Sequence, residues 1–251
     1  MPHIDIKHAL EKFDTVSLKD INAVSLMNRV DVKFVFAKKQ LSALLSELSA
    51  YYNVLTINNI QIQEYNSLYY DTCDRVFFIE HHNNRVNRHK VRFREYVDSK
   101  LIFLEVKRKD NKGKTVKKRM KVNAIPLSLS VDQNIYINQV IGKDLVLLPQ
   151  HWIKFSRVTF IDKLNTERLT IDLDLTFSNN FKSGDFKDLV VAEIKQERSS
   201  QSSKFTYIAK RHYISPTRLS KYCMSTINLH PSVKYNRFKE KVLLMNKLKQ
   251  R

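Results

Sequence analysis

Lysine and arginine recur at every second position along much of the stretch from Arg88 to Lys121, among β-branched and aromatic residues. Successive side chains of a β-strand point to opposite faces, so this spacing predicts strands with one cationic face and one apolar face. Like charges on neighbouring strands repel each other by up to about 1 kcal/mol for each directly opposed pair. We therefore expect an anionic ligand to bind where these cationic faces meet.

Three consecutive strands are predicted within this stretch, with a turn at Asn111, Lys112 and Gly113 before the third. Because short turns join them, the strands are expected to pair as neighbours and to concentrate their positive charge on one wall. The residues predicted on the polar faces are Lys90, Arg92, Arg94 and Tyr96 in the first strand, Phe103, Glu105, Lys107 and Lys109 in the second, and Lys117, Arg119 and Lys121 in the third.

The frequency of arginine and the spacing Glu-x-Lys both suggest phosphate chemistry. Arginine is favoured where a phosphate or carboxylate must be held by two hydrogen bonds at once. Glu105 and Lys107, and likewise Glu193 and Lys195, share a strand face, which places a carboxylate able to bind metal beside a cation able to bind phosphate. An antiparallel sheet with one solvated face produces the same alternation, and this simpler interpretation remains open at this point.

The composition narrows the classes of ligand. The 251 residues include 44 Lys and Arg against 25 Asp and Glu, a formal net charge of +19, which favours a polyanion or an anionic surface as partner. Only three glycines occur, so glycine-rich phosphate loops of the G-x-x-x-x-G-K-[ST] and G-x-G-x-x-G types are excluded. The two isolated cysteines predict neither a disulfide framework nor a thiolate metal site. Any phosphate site must therefore be built from side chains.

The sequence shows no signal-peptide pattern, and its apolar runs are far shorter than the roughly 20 residues of a membrane-spanning helix. We therefore expect a cytoplasmic protein, either soluble or peripheral at the inner face of the membrane. The predicted C-terminal helix is basic and amphipathic. Its apolar stripe is expected to pack on the core, and docking to a membrane surface or a partner protein is the alternative.

Hydrophobic periodicity predicts an α+β fold in a single domain, 1–251, with a core at about 28–228 and the basic C-terminal helix at 229–251. Helices are predicted at 8–21, 37–51, 71–82 with Asp71 as N-cap, 131–141, 202–213, 219–227 and 232–249. Further strands are predicted at 28–36, 60–70, 151–163, 166–177 with unbroken alternation, and 189–197. If the antiparallel sheet closes with its polar faces inward, it forms a β-barrel with a charged tunnel inside and helices outside. Cations in such an enclosure act on an anion more strongly than in open water.

Paired basic motifs in a fixed order resemble those of the VTC domain, the polyphosphate polymerase branch of the triphosphate tunnel metalloenzymes, which also include the CYTH proteins. The resemblance extends from about Arg29 to Lys221, and the ordered set of motifs is more specific than any one of them. The motifs are KVRFRE with Arg92 and Arg94, FLEVKRK with Lys107, TVKKRM with Lys117 and Arg119, SRVTF with Arg157, ERLTIDLDL with Arg168, AEIK with Glu193 and Lys195, and SPTRLSKY with Arg218 and Lys221.

One position departs from the CYTH pattern. CYTH proteins carry E-x-E-x-K near the start, with both glutamates helping to hold metal, whereas this chain has Arg29, Asp31 and Lys33. An arginine in place of the first carboxylate is similar to the polymerase branch and argues against a two-metal hydrolase. The SPX domain and membrane segment of the eukaryotic polymerases are not found in this sequence, so the resemblance implies the stand-alone bacterial type.

The resemblance implies transfer of the γ-phosphate of ATP to a growing polyphosphate chain, with Mn²⁺ or Mg²⁺ as cofactor and Glu193 as the metal ligand. Glu105, Asp172 and Asp174 are interpreted as partners that orient the cations, with a metal or water ligand role as the alternative. The implied catalytic residues are Lys33, Arg92, Arg94, Lys107, Lys117, Arg119, Arg157, Arg168 and Lys195. The implied substrate-binding residues are Arg29, Lys90, Arg218 and Lys221.

Two other functions remain open. A triphosphatase or other CYTH-like tunnel phosphohydrolase would use the same residues, and a non-catalytic module would bind polyphosphate or nucleic acid. Nucleic acid is disfavoured because the basic residues are not interleaved with stacking aromatic residues, of which Tyr96 is the main candidate. The expected partners are therefore ATP and polyphosphate, with a membrane protein as a further candidate, and the sequence leaves the oligomeric state open.

Overall fold

The computed structural model describes residues 6–22, 29–110, 115–197 and 203–250. Within these ranges, eleven strands form one sheet, and all neighbouring strands pair antiparallel except β1 and β3. The alternating sequence pattern is thus realised as a largely antiparallel sheet. The strands are β1 (Thr15–Ser17), β2 (Arg29–Ala37), β3 (Tyr52–Thr56), β4 (Ile62–Asp71), β5 (Arg88–Tyr96), β6 (Leu101–Lys109), β7 (Thr115–Val122), β8 (Leu148–Asp162), β9 (Arg168–Ser178), β10 (Ser183–Phe186) and β11 (Leu189–Glu197).

Eight α-helices accompany the sheet in the described residues, and none of these is long and apolar enough to span a membrane. The helix predicted at 131–141 shows why some boundaries follow from sequence. The Ser130 side chain accepts a hydrogen bond from the Gln133 backbone N–H, and Gly142 ends the helix with a left-handed φ of 78°. The helices are α1 (Ile6–Leu10), α2 (Leu18–Asn22), α3 (Leu41–Leu48), α4 (Val76–His82), α5 (Val131–Ile141), α6 (Lys204–Arg211), α7 (Lys221–Leu229) and α8 (Lys239–Gln250).

The strand order β2-β11-β9-β8-β4-β5-β6-β7 leaves β2 and β7 at the two ends of the sheet. The α+β class with a large antiparallel sheet is confirmed, but the closed barrel is not, because no pairing joins β2 to β7 within the described ranges. Part of the free edge of β2 is occupied by the segment before α7. There the Thr217 N–H donates to the Lys33 carbonyl oxygen at 2.6 Å, and Phe34 bridges to Pro216.

The sheet nevertheless curls around its polar side. Residues 217–222 contact β2 through Thr217, β9 through Lys221 and β4 through Tyr222, although three strands lie between β2 and β4 in the sheet. A flat sheet would hold β2 and β4 roughly 19 Å apart. The polar side chains of the two halves therefore face each other across a concave surface.

Helices cover the apolar face of the sheet in two groups. α1, α3 and α6 pack on β2, β8, β9 and β11, and Leu44, Phe160 and Phe205 lie in this core. α5 and part of α4 pack on β4, β5 and β6, where Phe77 and Ile137 are buried. The opposite, concave face of the sheet holds the predicted cations, and we refer to it as the charged face.

The alternation of β9 breaks at Asp174. Between Leu173 and Thr176, β9 has two residues where β8 has only Phe155, and Asp174 adopts a left-handed φ of 51°. Such a β-bulge moves the residues after it to the other face of the sheet. Leu173 accordingly lies in the helix-covered core, whereas Leu175 lies in an apolar cluster on the concave side. The predicted unbroken alternation of this strand is therefore wrong.

The apolar cluster borders the charged face on the side of α7 and α8. Met245 and Leu248 of α8 are buried in this cluster. The prediction that the apolar stripe of the C-terminal helix packs on the core is therefore confirmed. The cluster includes Val35, Ile153, Phe155, Leu175, Phe177 and Val191 from the strands, with Tyr222, Phe238, Met245 and Leu248 from the C-terminal segment. Charged and apolar surfaces thus share one side of the same sheet.

Two predicted boundaries fail where distant segments decide the structure. The helix predicted at 8–21 is interrupted by β1, which pairs with β3, a strand that the sequence analysis did not predict. The helix predicted at 71–82 begins only at Val76, because Asp71 still belongs to β4. The Asp71 carboxylate nevertheless caps this helix, since it accepts hydrogen bonds from the N–H groups of Phe77 and Phe78 at 2.9 and 3.0 Å. The turn predicted at 111–113 lies outside the described residues.

Candidate functional site

Glu105 on β6 is the centre of the first of three ion-pair clusters on the charged face. Its side chain is fully buried, and it accepts hydrogen bonds from Arg92 Nε and Nη2 on β5 at 2.9 and 2.6 Å. Lys117 on β7 pairs with the other carboxylate oxygen. Three neighbouring strands, each contributing one residue, thus hold a carboxylate between two cations.

This cluster is fixed in its charged state. Burial alone would raise the pKa of Glu105, but Arg92, Arg94 and Lys117 outweigh it and hold the pKa well below its usual range. Arg92 also donates from Nη1 to the Tyr69 hydroxyl at 2.8 Å. With partners on two sides, the Arg92 guanidinium has a defined orientation before any ligand arrives.

Asp172 on β9 is the centre of the second cluster. Arg157 on β8 donates from Nε to Oδ1 at 2.5 Å and from Nη2 to Oδ2 at 2.8 Å, which is the bidentate geometry that orients a guanidinium most firmly. Lys221, the first residue of α7, pairs with the same carboxylate. Burial would raise the pKa of Asp172, but the charges of Arg157 and Lys221 lower it well below its usual range.

Glu193 on β11 is the centre of the third cluster. Lys33 on β2 donates to Oε1 at 3.1 Å, and the Lys195 Nζ lies 3.7 Å from Oε2. Burial would raise the pKa of Glu193, but Lys195 and Lys33 hold it below its usual range. Burial lowers the pKa of Lys195 to about 8, against the opposing effect of Glu193. The Glu193 side chain keeps 16% exposure, whereas those of Glu105 and Asp172 keep 0% and 3%, so Glu193 is the most accessible of the three acids.

A stacked aromatic pair supports two arginines of the charged face. The rings of Tyr65 on β4 and Phe155 on β8 stack with centroids 5.2 Å apart. The guanidinium carbon of Arg94 lies 5.1 and 5.7 Å from these two centroids, and that of Arg157 lies 5.1 and 5.3 Å from them. Desolvated cation–π contacts of this kind stabilise by about 2 kcal/mol. Arg94 is buried on this support, without an ion pair to any carboxylate of the described residues.

Two lysines on the same wall also lack an acid partner. Lys90 on β5 lies directly opposite Lys107 on β6, and Lys117 on β7 lies opposite Lys107 on the other side. Neither Lys90 nor Lys107 forms an ion pair with a carboxylate in the part of the chain that the structure describes. Burial lowers the pKa of Lys107 well below its usual value, and the charges of Arg92 and Arg94 add to this effect. This row of lysines is therefore electrostatically favourable for an anion.

The remaining predicted residues lie at the margins of these clusters. Arg119 on β7 is exposed, and Arg168 begins β9 opposite Lys195 and has a partner of its own. Arg218 is exposed in the segment before α7. Arg29 begins β2, but its side chain lies outside what the structure describes.

The structure brings most of the predicted site onto one concave surface, and it adds residues that the sequence analysis did not assign. These are Tyr65, Tyr69 and Phe155, which contact arginines on the charged face. The alternation of β4 and β8 is the sequence signal that could have placed them on this face. Asp174 is not part of the clusters, because the bulge leaves it paired with Lys38 at 2.5 Å. The residues brought together are Lys33, Lys90, Arg92, Arg94, Glu105, Lys107, Lys117, Arg157, Asp172, Glu193, Lys195 and Lys221.

A metal ion fits this surface only together with a substrate. The described ranges contain no group of three or more His, Cys, Asp or Glu side chains placed to hold a metal. Mg²⁺ is commonly bound by one or two carboxylates, with substrate phosphates and water completing its shell. The accessible carboxylate of Glu193 therefore fits an ion that arrives with a phosphate ligand, and not a metal centre formed in advance.

Most of the chain, including these basic and acidic residues, matches a known family. The family model of the VTC domain matches residues 28–230. This chain belongs to the VTC domain family. The match to the VTC domain includes every strand from β2 to β11 and also α7, so all three ion-pair clusters lie within it.

No curated protein matches this VTC domain. Among solved structures, PH1819 protein from Pyrococcus horikoshii OT3 has a TM-score of 0.42 and 12% identity, covering 79% of this chain and 99% of its own. A conserved hypothetical protein from Pyrococcus furiosus has a TM-score of 0.39 and 15% identity, covering 77% and 99%. HpAC1 from Hippeastrum, described with a dominant triphosphatase activity, has a TM-score of 0.46 and 13% identity, covering 84% and 100%. Similarities of this size do not extend to function.

Proposed function

We propose that this VTC domain is an ATP-dependent polyphosphate polymerase. A terminal oxygen of the polyphosphate chain attacks the γ-phosphorus of ATP, and a new P–O–P bond forms. The bond from the γ-phosphorus to the oxygen that bridges the β- and γ-phosphates breaks, and ADP leaves with that electron pair. The observation that carries the proposal is the arrangement of cations on the charged face, where three oriented ion-pair clusters accompany three cations that have no acid partner among the described residues.

These cations supply what phosphoryl transfer requires of a protein, namely positioning and stabilisation of charge. Strand register holds Lys90 and Lys107 opposite each other, and Arg94 is buried on the same wall, so a phosphate chain relieves the repulsion among these cations. Arg92 and Arg157 are already oriented by their carboxylates, so binding costs them little side-chain entropy. The curled sheet, with β2 and β7 as its edges, would enclose this chain as a tunnel.

Glu193 marks the reacting end of this proposed site. A Mn²⁺ or Mg²⁺ ion held by Glu193 would neutralise charge on the phosphate oxygens. Lys33 and Lys195, which flank Glu193, are placed to contact the phosphate that is transferred. The remaining predicted residues, Arg119, Arg168, Arg29, Arg218 and Lys221, are assigned to the incoming or outgoing chain.

The acids of the three clusters are poorly suited to act as a general base. A hydrolase must take a proton from water, whereas the attacking phosphate oxygen of a polymerase is already an anion. Glu105, Asp172 and Glu193 are each paired with two cations that lower the carboxylate pKa, so all three are weak proton acceptors.

The reaction is assigned to the cytoplasm, where ATP is present, and a membrane protein is the candidate recipient of the product.

The decisive experiment is an analysis of products. Purified protein is incubated with ATP and Mn²⁺ or Mg²⁺, and we expect long polyphosphate on a gel together with stoichiometric ADP. Release of only orthophosphate or pyrophosphate would show a triphosphatase in place of a polymerase. Binding of polyphosphate without any turnover of ATP would show a binding module.

The role of Glu193 has its own test. Glu193→Gln keeps the size of the side chain but removes the negative charge needed for a metal ion, so we expect turnover to fall by at least about a hundredfold. Glu95→Gln on β5 is the matched control. Glu95 follows Arg94 and so points to the opposite face of the sheet, where it accepts a hydrogen bond from Asn66. Unchanged turnover in Glu193→Gln, with circular dichroism showing a folded protein, would remove Glu193 as the metal ligand.

A further inference from the structure

A band of aromatic side chains crosses four neighbouring strands of the charged face. After the stacked pair of Phe155 and Tyr65, Tyr96 on β5 lies with its ring centroid 5.1 Å from that of Tyr65. Phe103 on β6 follows, 6.0 Å from Tyr96 in an edge-to-face arrangement. The basic residues are therefore interleaved with aromatic rings, contrary to what the sequence suggested.

The two halves of this band differ in accessibility. Phe155 is buried, and its ring and that of Tyr65 carry Arg94 and Arg157. Tyr96 and Phe103 are only partly buried, so aromatic surface remains exposed there. Arg119 on β7 adds its guanidinium 4.8 Å from the Phe103 centroid. At this end of the band, a planar ligand would meet two partly exposed rings and the planar cation that already packs against Phe103.

This accessible aromatic surface adjoins the phosphate-binding cations directly. Phe103 lies opposite Arg94 in the register of β5 and β6, and Tyr96 is the next residue on the charged face of β5. From Tyr96, the same face of β5 continues through Arg94 and Arg92 to Lys90. The six residue steps from Lys90 to Tyr96 span roughly 20 Å, which is of the order of an extended nucleoside triphosphate.

The line of cations leads away from the rings to the pair of lysines on β5 and β6. Lys90 lies directly opposite Lys107, and neither forms an ion pair with a carboxylate of the described residues. A nucleotide with its base at Tyr96 therefore extends its γ-phosphate toward Lys90 and Lys107. The opposite orientation would place the base against this uncompensated charge.

We propose that Tyr96, Phe103 and Arg119 form a stacking site for the base of a nucleoside triphosphate whose phosphates lie along β5. This site rests on the proposed function, because it names the part of the substrate that the cations do not bind. Stacking uses the face that every base presents, and arginine strengthens it, so the site discriminates little between adenine and guanine. The site therefore distinguishes a nucleotide from inorganic phosphate chains and not one purine from another.

The test compares ATP, GTP and inorganic tripolyphosphate by isothermal titration calorimetry with the full chain. In Tyr96→Leu and Phe103→Leu we expect ATP and GTP to bind about tenfold more weakly, because one stacking partner is lost, while tripolyphosphate changes by less than about twofold. For each ligand, the affinity of the variant is divided by the affinity of the wild type. The difference in charge between tripolyphosphate and the nucleotides therefore cancels. Tyr207→Leu is the matched control, since Tyr207 is an exposed ring with the Arg211 guanidinium at 6.0 Å on α6.

Equal losses for ATP and tripolyphosphate in both variants would overturn the stacking site, and so would unchanged binding of both. Failure of the proposed function gives a different result. If ATP binding shows the expected pattern but the wild type makes no polyphosphate, the stacking site stands and the polymerase does not. If wild-type protein binds neither ATP nor tripolyphosphate, both proposals are wrong.

Discussion

The two halves of the charged face carry their acids and bases in different proportions. On β5, β6 and β7, one carboxylate shares the charged face with nine cations, whereas on β2, β8, β9 and β11 the acids and bases are closer to balance. By alternation, the first half holds Arg88, Lys90, Arg92, Arg94, Lys107, Lys109, Lys117, Arg119 and Lys121 with Glu105, and the second holds Lys33, Arg157, Arg168 and Lys195 with Asp31, Asp172, Glu193 and Glu197. The first half is therefore unsatisfied without an anionic ligand.

This difference separates two tasks that a phosphate-transferring site must perform. A surface with excess positive charge binds a phosphate chain strongly but has no place for a divalent cation. The balanced half offers an accessible carboxylate in Glu193 and lysines on both sides of it. We infer that the cationic half holds the chain and that the balanced half carries out the transfer.

The largest expected effect concerns the only carboxylate found on the charged face of β5, β6 and β7. Glu105→Gln leaves the largely buried Arg92, and the more exposed Lys117, beside a neutral side chain, so we expect the free energy of unfolding to fall by about 3 to 5 kcal/mol. Urea denaturation monitored by circular dichroism measures this loss. Glu193→Gln should lose less, because Glu193 is partly exposed, and equal losses in the two variants would contradict the difference between the halves.

A smaller effect is expected for the ligand affinity of the cationic half. Arg94→Met removes a cation without an acid partner but keeps an apolar chain against Tyr65, so binding of tripolyphosphate should weaken by about 1.5 to 3 kcal/mol. Calorimetric titration measures this change. Lys154→Met is the control, because Lys154 is exposed and alternates with Phe155 on β8. Affinity within about twofold of the wild type would show that Arg94 does not contact the phosphates.

The smallest expected effect is a proton taken up when phosphate binds. Burial lowers the pKa of Lys107 in the folded protein below its usual value of 10.5. At a pH between the lowered pKa and 10.5, the unfolded chain therefore binds more protons than the folded one. The contribution of Lys107 to stability of the free protein therefore rises with pH across this interval. A bound anion raises the pKa again, so affinity should fall as pH rises and binding should take up protons.

Calorimetry in buffers of different ionisation enthalpy measures this uptake, at a pH where tripolyphosphate is fully ionised. Lys107→Met should reduce the number of protons taken up, with Lys154→Met again as the control. Binding that takes up no protons, or that releases them, would show that Lys107 is already charged in the free protein.

Local pattern was sufficient for the part of the site that lies on consecutive strands. The three strands between Arg88 and Val122 follow the predicted alternation because short connections fix their pairing. The carboxylates of the other half come from β9 and β11, and the sequence identified Glu193 only through the resemblance of its motif. The partnership of Arg92 with Tyr69 depends on the register of β5 and β4, which no local pattern contains.

The sequence failed where contacts between distant segments override local preference. Residues 15–17 continue a helical pattern, but β1 forms there because β3 offers it a partner. The edge of β2 is taken by Thr217, far along the chain, so closure of the sheet could not be judged from strand patterns alone. The aromatic band escaped notice for a similar reason, because its four rings come from four strands.

The bulge at Asp174 limits the length of the charged surface along β9. Before it, β9 presents Asp172 to the concave side, and after it the same strand presents Leu175 and Phe177. One additional residue in β9 therefore determines how far the charged face extends along this strand. It thereby determines how many consecutive phosphates the strand can contact. Among relatives that carry or lack this insertion, the length of the bound chain should differ even where every cation is the same.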